Sequence, residues 1–137
     1  MKVFLDTNVW LSATIFSGLC EELLLQCADR GWLLGSALVR AEAHEVLQRK
    51  FPQAPNACAL FDASWRFARM IEDVAHPADD NDRRLVAAAA LAGADLFVTG
   101  DKRVLGWKEV PQGLGMMRIV TPRDAWGLVM GGPPGSH

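Results

Sequence analysis

Cysteine is scarce: the chain carries three, Cys20, Cys27 and Cys58, with no C-x-x-C pair among them. An odd count without paired spacing excludes a disulfide framework and a zinc knuckle, and leaves the thiols as small buried groups. No apolar run approaches the roughly 18 residues needed to cross a bilayer. The first residues also lack a basic segment followed by an apolar signal core. No membrane partner is expected, and the expected compartment is the cytoplasm. Positive charge is not in excess, since 14 Lys and Arg stand against 16 Asp and Glu for a net charge of −2. That balance excludes a molecule coated with positive charge for indiscriminate binding to nucleic acid, but leaves room for a local basic rim. What remains is ordinary folded-domain material: 137 residues, 50% hydrophobic and 22% charged. A single domain over residues 1–130 is expected. The tail GGPPGSH at 131–137 has nothing to bury and is expected to be flexible.

Hydrophobic patterning predicts strands alternating with helices. KVFLD at 2–6 reads as a buried strand that delivers Asp6 to its carboxyl end. Leu recurs at helical spacing from Ser17 to Arg30, and Gly31 supplies a stop. A short strand, WLLGS at 32–36, follows; Ser36 then caps a helix over 37–51 that Pro52 blocks. Residues 56–74 predict another amphipathic helix, with Leu60, Phe61, Trp65, Ala68 and Ile71 as its buried stripe. The loop HPADDND leads into an Ala-rich helix ending near Gly93. DLFVTGD at 95–101 predicts a strong strand and MMRIVTP at 116–122 a weaker one, with Pro122 opening a last helix, RDAWGLVM. Parallel neighbours need crossover connections, so the expected fold is α/β: a three-layer α/β/α sandwich around a central, mainly parallel sheet. Sites in such sheets form outside the carboxyl ends of the strands, where Asp6 and Asp101 both fall.

The acids pose a problem of charge. If Asp6, Glu42, Asp82 and Asp101 gather at spacings of about 5 Å, each ionised pair repels by about 3 kcal/mol at an effective dielectric of about 20. Six pairs sum to roughly 20 kcal/mol, more than the stability of an ordinary domain. Some acids must stay protonated, spread apart or meet a cation. Oxygen-only ligands without histidine or cysteine favour a hard ion, Mg²⁺ or Mn²⁺. Calcium suits less well, because DDNDRR lacks the glycine and distal glutamate of an EF-hand loop. Each acid also has a purely structural use: Asp6, Asp82 and Asp101 as caps or turn residues, Glu42 on a solvated helix face.

VFLDTNVW, a glutamate in RAEAHEVL, DDNDRRLVAAA and LFVTGDKRVL, in that order, resemble the successive acidic motifs of a PIN domain. The resemblance runs from residue 2 to about 130, ending with IVTPRDAW, and is nearest to small bacterial PIN proteins related to the VapC type of toxin in toxin–antitoxin systems. It implies a Mg²⁺- or Mn²⁺-dependent endoribonuclease with Asp6, Glu42, Asp82 and Asp101 as the acidic quartet. Asp6, Asp82 and Asp101 are then the metal ligands, and Asn8, Thr99, Asp79 and Asp80 support them. Asn81 interrupts the acidic run, so Asp80 and not Asp82 is a second choice for the leading acid. Basic residues that follow the acids, Arg83 and Arg84, and Lys102 and Arg103, are expected to hold RNA phosphates. Arg40, Arg49 and Lys50 are an alternative frame for a groove.

An antitoxin protein that sends a basic side chain into the pocket is the implied partner. The helices around Leu24 and Trp65 offer apolar residues either to a homodimer contact or to the core. Two other classes compete. A PIN fold that binds RNA or protein without cutting needs no metal. A haloacid-dehalogenase-type phosphatase needs a second aspartate two residues after the first, where this chain has Asn8. His44 stands two residues from Glu42 on one helix and is not expected to share its site.

Overall fold

The computed structural model describes residues 1–112 and 115–131. Its strands are β1 (Val3–Leu5), β2 (Leu33–Ser36), β3 (Arg69–Ile71), β4 (Leu96–Val98), β5 (Glu109–Gln112) and β6 (Gly115–Val120). Its helices are α1 (Thr7–Ile15), α2 (Leu19–Asp29), α3 (Ala37–Lys50), α4 (Asn56–Trp65), α5 (Asn81–Leu91), α6 (Lys102–Leu105) and α7 (Pro122–Met130). The six strands form one sheet in the order β3-β2-β1-β4-β6-β5, parallel throughout except for the β5–β6 edge pair. The expected α/β/α sandwich with a mainly parallel sheet is the fold.

Central strands β1 and β4 are short and wholly apolar, and every one of their residues is buried. That is the signature of strands covered on both faces, and Phe4 opposite Phe97 stacks at 5.3 Å between ring centres. From β1 the chain steps to β2 and β3 on one side, then crosses back to lay β4 on the other side of β1. The gap between the carboxyl ends of β1 and β4 is therefore the topological switch point of the sheet. Beyond the strand ends the ladder continues: the Asp6 N–H donates to the Val98 carbonyl at 2.9 Å, and the Thr99 N–H to the Val120 carbonyl at 3.0 Å.

The caps follow the chemistry of the loop residues. Ser36 accepts from the Val39 N–H to open α3, and Thr121 with Pro122 opens α7. Gly31 closes α2 at φ 71°, a left-handed angle that a Cβ would penalise. An aromatic cluster packs α1 on α4: Trp10 lies 4.9 Å from Trp65 and 5.4 Å from Phe61 between ring centres.

Two expectations need correction. The helix expected over 56–74 ends at Trp65, and Arg69–Ile71 instead becomes the edge strand β3. Leu60, expected in the buried stripe, is 58% exposed, because it lies about 100° round α4 from Phe61, on the face next to the one that buries Ala57, Phe61 and Trp65. Of the two uses left open for the helices around Leu24 and Trp65, the core takes Leu24 and Trp65 themselves, while Leu25 and Leu60 beside them are exposed. Helix α1 was not anticipated, although Asp6 caps it through the Thr7 N–H at 2.8 Å. Of the tail expected to be flexible at 131–137, Gly131 instead closes α7, its N–H donating to the Gly127 carbonyl at 2.9 Å, and residues 132–137 lie outside the described residues. No single helix among the described residues is long and apolar enough to cross a membrane.

Candidate acidic site at the carboxyl edge of the sheet

Asp6 occupies the switch point and is 3% exposed. Both oxygens of its carboxylate accept hydrogen bonds. Oδ1 accepts from the Thr7 N–H, and Oδ2 accepts from the Thr99 hydroxyl at 2.8 Å and from Asn8 Nδ2 at 3.1 Å. Thr99, itself buried, spends its one proton on Asp6 and accepts from Asn8 Nδ2 at 3.2 Å and from the Asp101 N–H at 3.0 Å. Asn8 completes the bridge, its Oδ1 accepting from the Gly100 N–H at 2.9 Å. A threonine and an asparagine thus tie the β1–α1 turn to the β4–α6 turn and hold Asp6 and Asp101 in one network. A shallow cleft lined in part by Asn8, Ser12, Gly100 and Asp101 opens beside it.

Burial pushes the Asp6 carboxyl up from 3.8 to about 6. The Thr99 and Thr7 hydrogen bonds oppose that rise, and the charges of Asp82 and Glu42 add to it. Two of the expected quartet therefore lie close enough for Asp6 to feel their charge. Glu42, from the middle of α3, reaches the site through Thr7, whose hydroxyl donates to Oε1 at 2.7 Å, and through Asn81, whose Nδ2 donates to Oε2 at 3.2 Å. Asp101 caps α6, its Oδ1 accepting from the Arg103 N–H at 2.8 Å. Thr7 and Asn81 were not foreseen as supports. Their places beside the acids, Thr7 after Asp6 and Asn81 between Asp80 and Asp82, carried the only signal for them.

Asp80 and Asp82 have separate roles. Asp80 caps α5, accepting from the Asp82 N–H at 2.9 Å. Arg103 donates to Asp80 Oδ2 at 3.0 Å and to Asp82 Oδ2 at 2.7 Å. This guanidinium holds the Asp80 carboxyl below the ordinary value, and both acids keep Arg103 firmly protonated. Asp79 is exposed and sits in a turn at φ 48°, which aspartate tolerates. Of the basic residues, Lys102 and Arg83 are exposed, whereas Arg84 donates through Nε to the Val74 carbonyl at 2.9 Å. Arg40 pairs with Asp62, as does His44 at 2.8 Å, so His44 stands apart from the acidic site.

Against Mg²⁺ or Mn²⁺ the donors fit in kind: they are carboxylate oxygens, and buried Asp6 carries an ionisation penalty that a cation would lift. In spacing they do not yet fit. Among the described residues no three His, Cys, Asp or Glu side chains are drawn into a group that could hold a metal ion. Asp82 instead spends Oδ2 on Arg103. Compared with protein-family models, curated proteins and solved structures, the chain matches none.

Proposed function

We propose that the protein is a Mg²⁺- or Mn²⁺-dependent endoribonuclease, the toxin of a toxin–antitoxin pair, working in the cytoplasm. The observation that carries this reading is the buried Asp6 carboxylate, oriented by Thr99 and Asn8 at the sheet's switch point and within electrostatic range of Asp82 and Glu42. A cap needs neither that burial nor those neighbours. Asp6, Asp82 and Asp101 would hold the ion, with Glu42 beside them, once Asp82 trades Arg103 for it. Such an ion supplies charge neutralisation for phosphodiester hydrolysis. The chain's own part is positional. Thr99 and Asn8 fix the carboxylate of Asp6, Thr7 and Asn81 fix that of Glu42, and Arg83 and Lys102 offer cations to the phosphates. Pairing of Arg103 with Asp80 and Asp82 supports the antitoxin partner, since a rim that accepts one guanidinium suits another from a second protein. For a homodimer, the exposed Leu25 and Leu60, which line one pocket together, are among the apolar residues on offer.

The test is cleavage of single-stranded RNA by the purified protein with Mn²⁺. Asp101→Asn should lose at least about 100-fold in rate while its circular dichroism stays native. Equal rates for the variant and the parent would remove the proposal. A second reading, a fold of this kind that binds RNA or protein without cutting, draws support from Arg103 pairing with Asp82, one of the acids that would have to hold the metal. Calorimetric titration with Mn²⁺ separates the two: heat that disappears in Asp101→Asn favours the enzyme, and no heat in either protein favours the scaffold.

A further inference from the structure

A second cleft, of about 390 Å³, lies where α5 faces the turn into β5 and is lined by His76, Arg83, Val86, Ala87, Trp107 and Glu109, with Val110 beside them. Its size falls in the range of about 300–1,000 Å³ typical of small-molecule sites. The guanidinium of Arg83 lies 4.2 Å from the centre of the Trp107 ring. Among the described residues that guanidinium makes no hydrogen bond or ion pair, so all its donors remain unspent. By contrast, Arg103 and Arg84 are committed to carboxylates and to a backbone carbonyl.

The indole is held on the cleft by a strained turn. Lys108, the residue after it, has φ 61°, and the Glu109 N–H donates back to the Trp107 carbonyl at 2.7 Å. Nδ1 of His76 accepts from the Ala78 N–H at 3.1 Å, which leaves Nε2 as the ring's donor. The cleft therefore combines an aromatic plane, an unpaired guanidinium and an imidazole donor. Glu109 adds an acceptor suited to an exocyclic amine of a base and unsuited to a phosphate.

Arg103 joins this cleft to the acidic site. Its guanidinium carbon lies 5.4 Å from the Trp107 ring centre, while its Nη2 donates to Asp82 at 2.7 Å. We propose that this cleft is a nucleotide subsite for single-stranded RNA: the Trp107–Arg83 stack takes a base, and Arg83 with His76 takes its phosphate, one step along the strand from the acidic residues. The inference rests on the ribonuclease reading above. Stacking planes paired with unspent guanidinium donors are how sequence-tolerant single-strand binders hold RNA.

The test measures fluorescence polarisation of a labelled single-stranded RNA on the order of ten nucleotides long. It is run with Mn²⁺ in the Asp101→Asn background, so that the strand stays whole. Trp107→Ala and Arg83→Gln should each weaken binding at least about fivefold, with Trp107→Phe retaining most of it. Arg83→Gln changes an exposed side chain, so it keeps the test valid if Trp107→Ala fails to fold. Wild-type affinity in both variants, no binding by the Asp101→Asn parent, or equal binding of a double-stranded RNA would each overturn the subsite. RNA binding that depends on Trp107 and Arg83, in a protein that never cuts RNA, would leave the subsite standing and remove the ribonuclease reading instead.

Discussion

Replacing Asp6 by asparagine exchanges one kind of cost for another, and pH decides which is larger. Burial, together with the charges of Asp82 and Glu42, places the folded-state pKa of Asp6 at about 6, above the ordinary 3.8. A carboxyl whose folded pKa is raised contributes most below the unfolded value, and that contribution is lost as pH rises through about 6. The rise corresponds to about 3 kcal/mol lost by pH 8, of which about 2 kcal/mol disappears between about pH 4.5 and pH 8. Asparagine escapes this penalty because it does not ionise. It loses an acceptor, however: the Thr99 hydroxyl and Asn8 Nδ2 both donate to Oδ2, and an amide nitrogen placed there has nothing to accept with. Such a mismatch costs about 1–3 kcal/mol at any pH. Asp6→Asn should therefore be less stable than wild type near pH 4.5 and recover about 2 kcal/mol of that deficit near pH 8, without metal. Urea denaturation followed by circular dichroism in EDTA at the two pH values measures this. A deficit that is the same at both pH values would refute the electrostatic account of Asp6.

Thr99→Val removes the Asp6 donor and the acceptor for Asn8 and the Asp101 N–H, and should cost about 1–3 kcal/mol in the same denaturation experiment. Because the Thr99 hydrogen bond holds the Asp6 pKa down, the variant should also lose more stability than wild type as pH rises; an unchanged pH dependence would count against it. Arg103→Gln frees Asp82 and Asp80, so calorimetry should show Mn²⁺ binding severalfold more tightly; unchanged or weaker binding would mean that Arg103 does not compete for the acids. Gly35→Ala would place a Cβ 2.6 Å from Cη2 of Trp65, whose ring is wedged against Trp10 and Phe61. Thermal denaturation should show a loss of about 1–3 kcal/mol, and an unshifted midpoint would mean that the ring yields freely.

The α/β class and the placing of Asp6 and Asp101 beyond strand ends were legible in the chain because VFL and LFV are short apolar runs ending in polar turns. Covalent neighbours alone impose that pattern. The cap at Ser36 and the helix opening at Pro122 were legible for the same local reason. The edge strands were not. Arg69–Ile71 is mostly exposed and carries no alternation, and Glu109–Gln112 contains Pro111, so each becomes a strand only by pairing with a partner distant in sequence. Within the acidic site, the list of acids could be written from the sequence, but their relations could not. That Thr99 bonds Asp6 across 93 positions, that Asn81 reaches Glu42, and that Arg103 rather than solvent meets Asp82 all follow from strand order. Periodicity and capping act within a few residues and are written into the chain. Burial, like-charge proximity and ion pairing depend on which remote segments the sheet makes neighbours, and for this protein they exist only once it has folded.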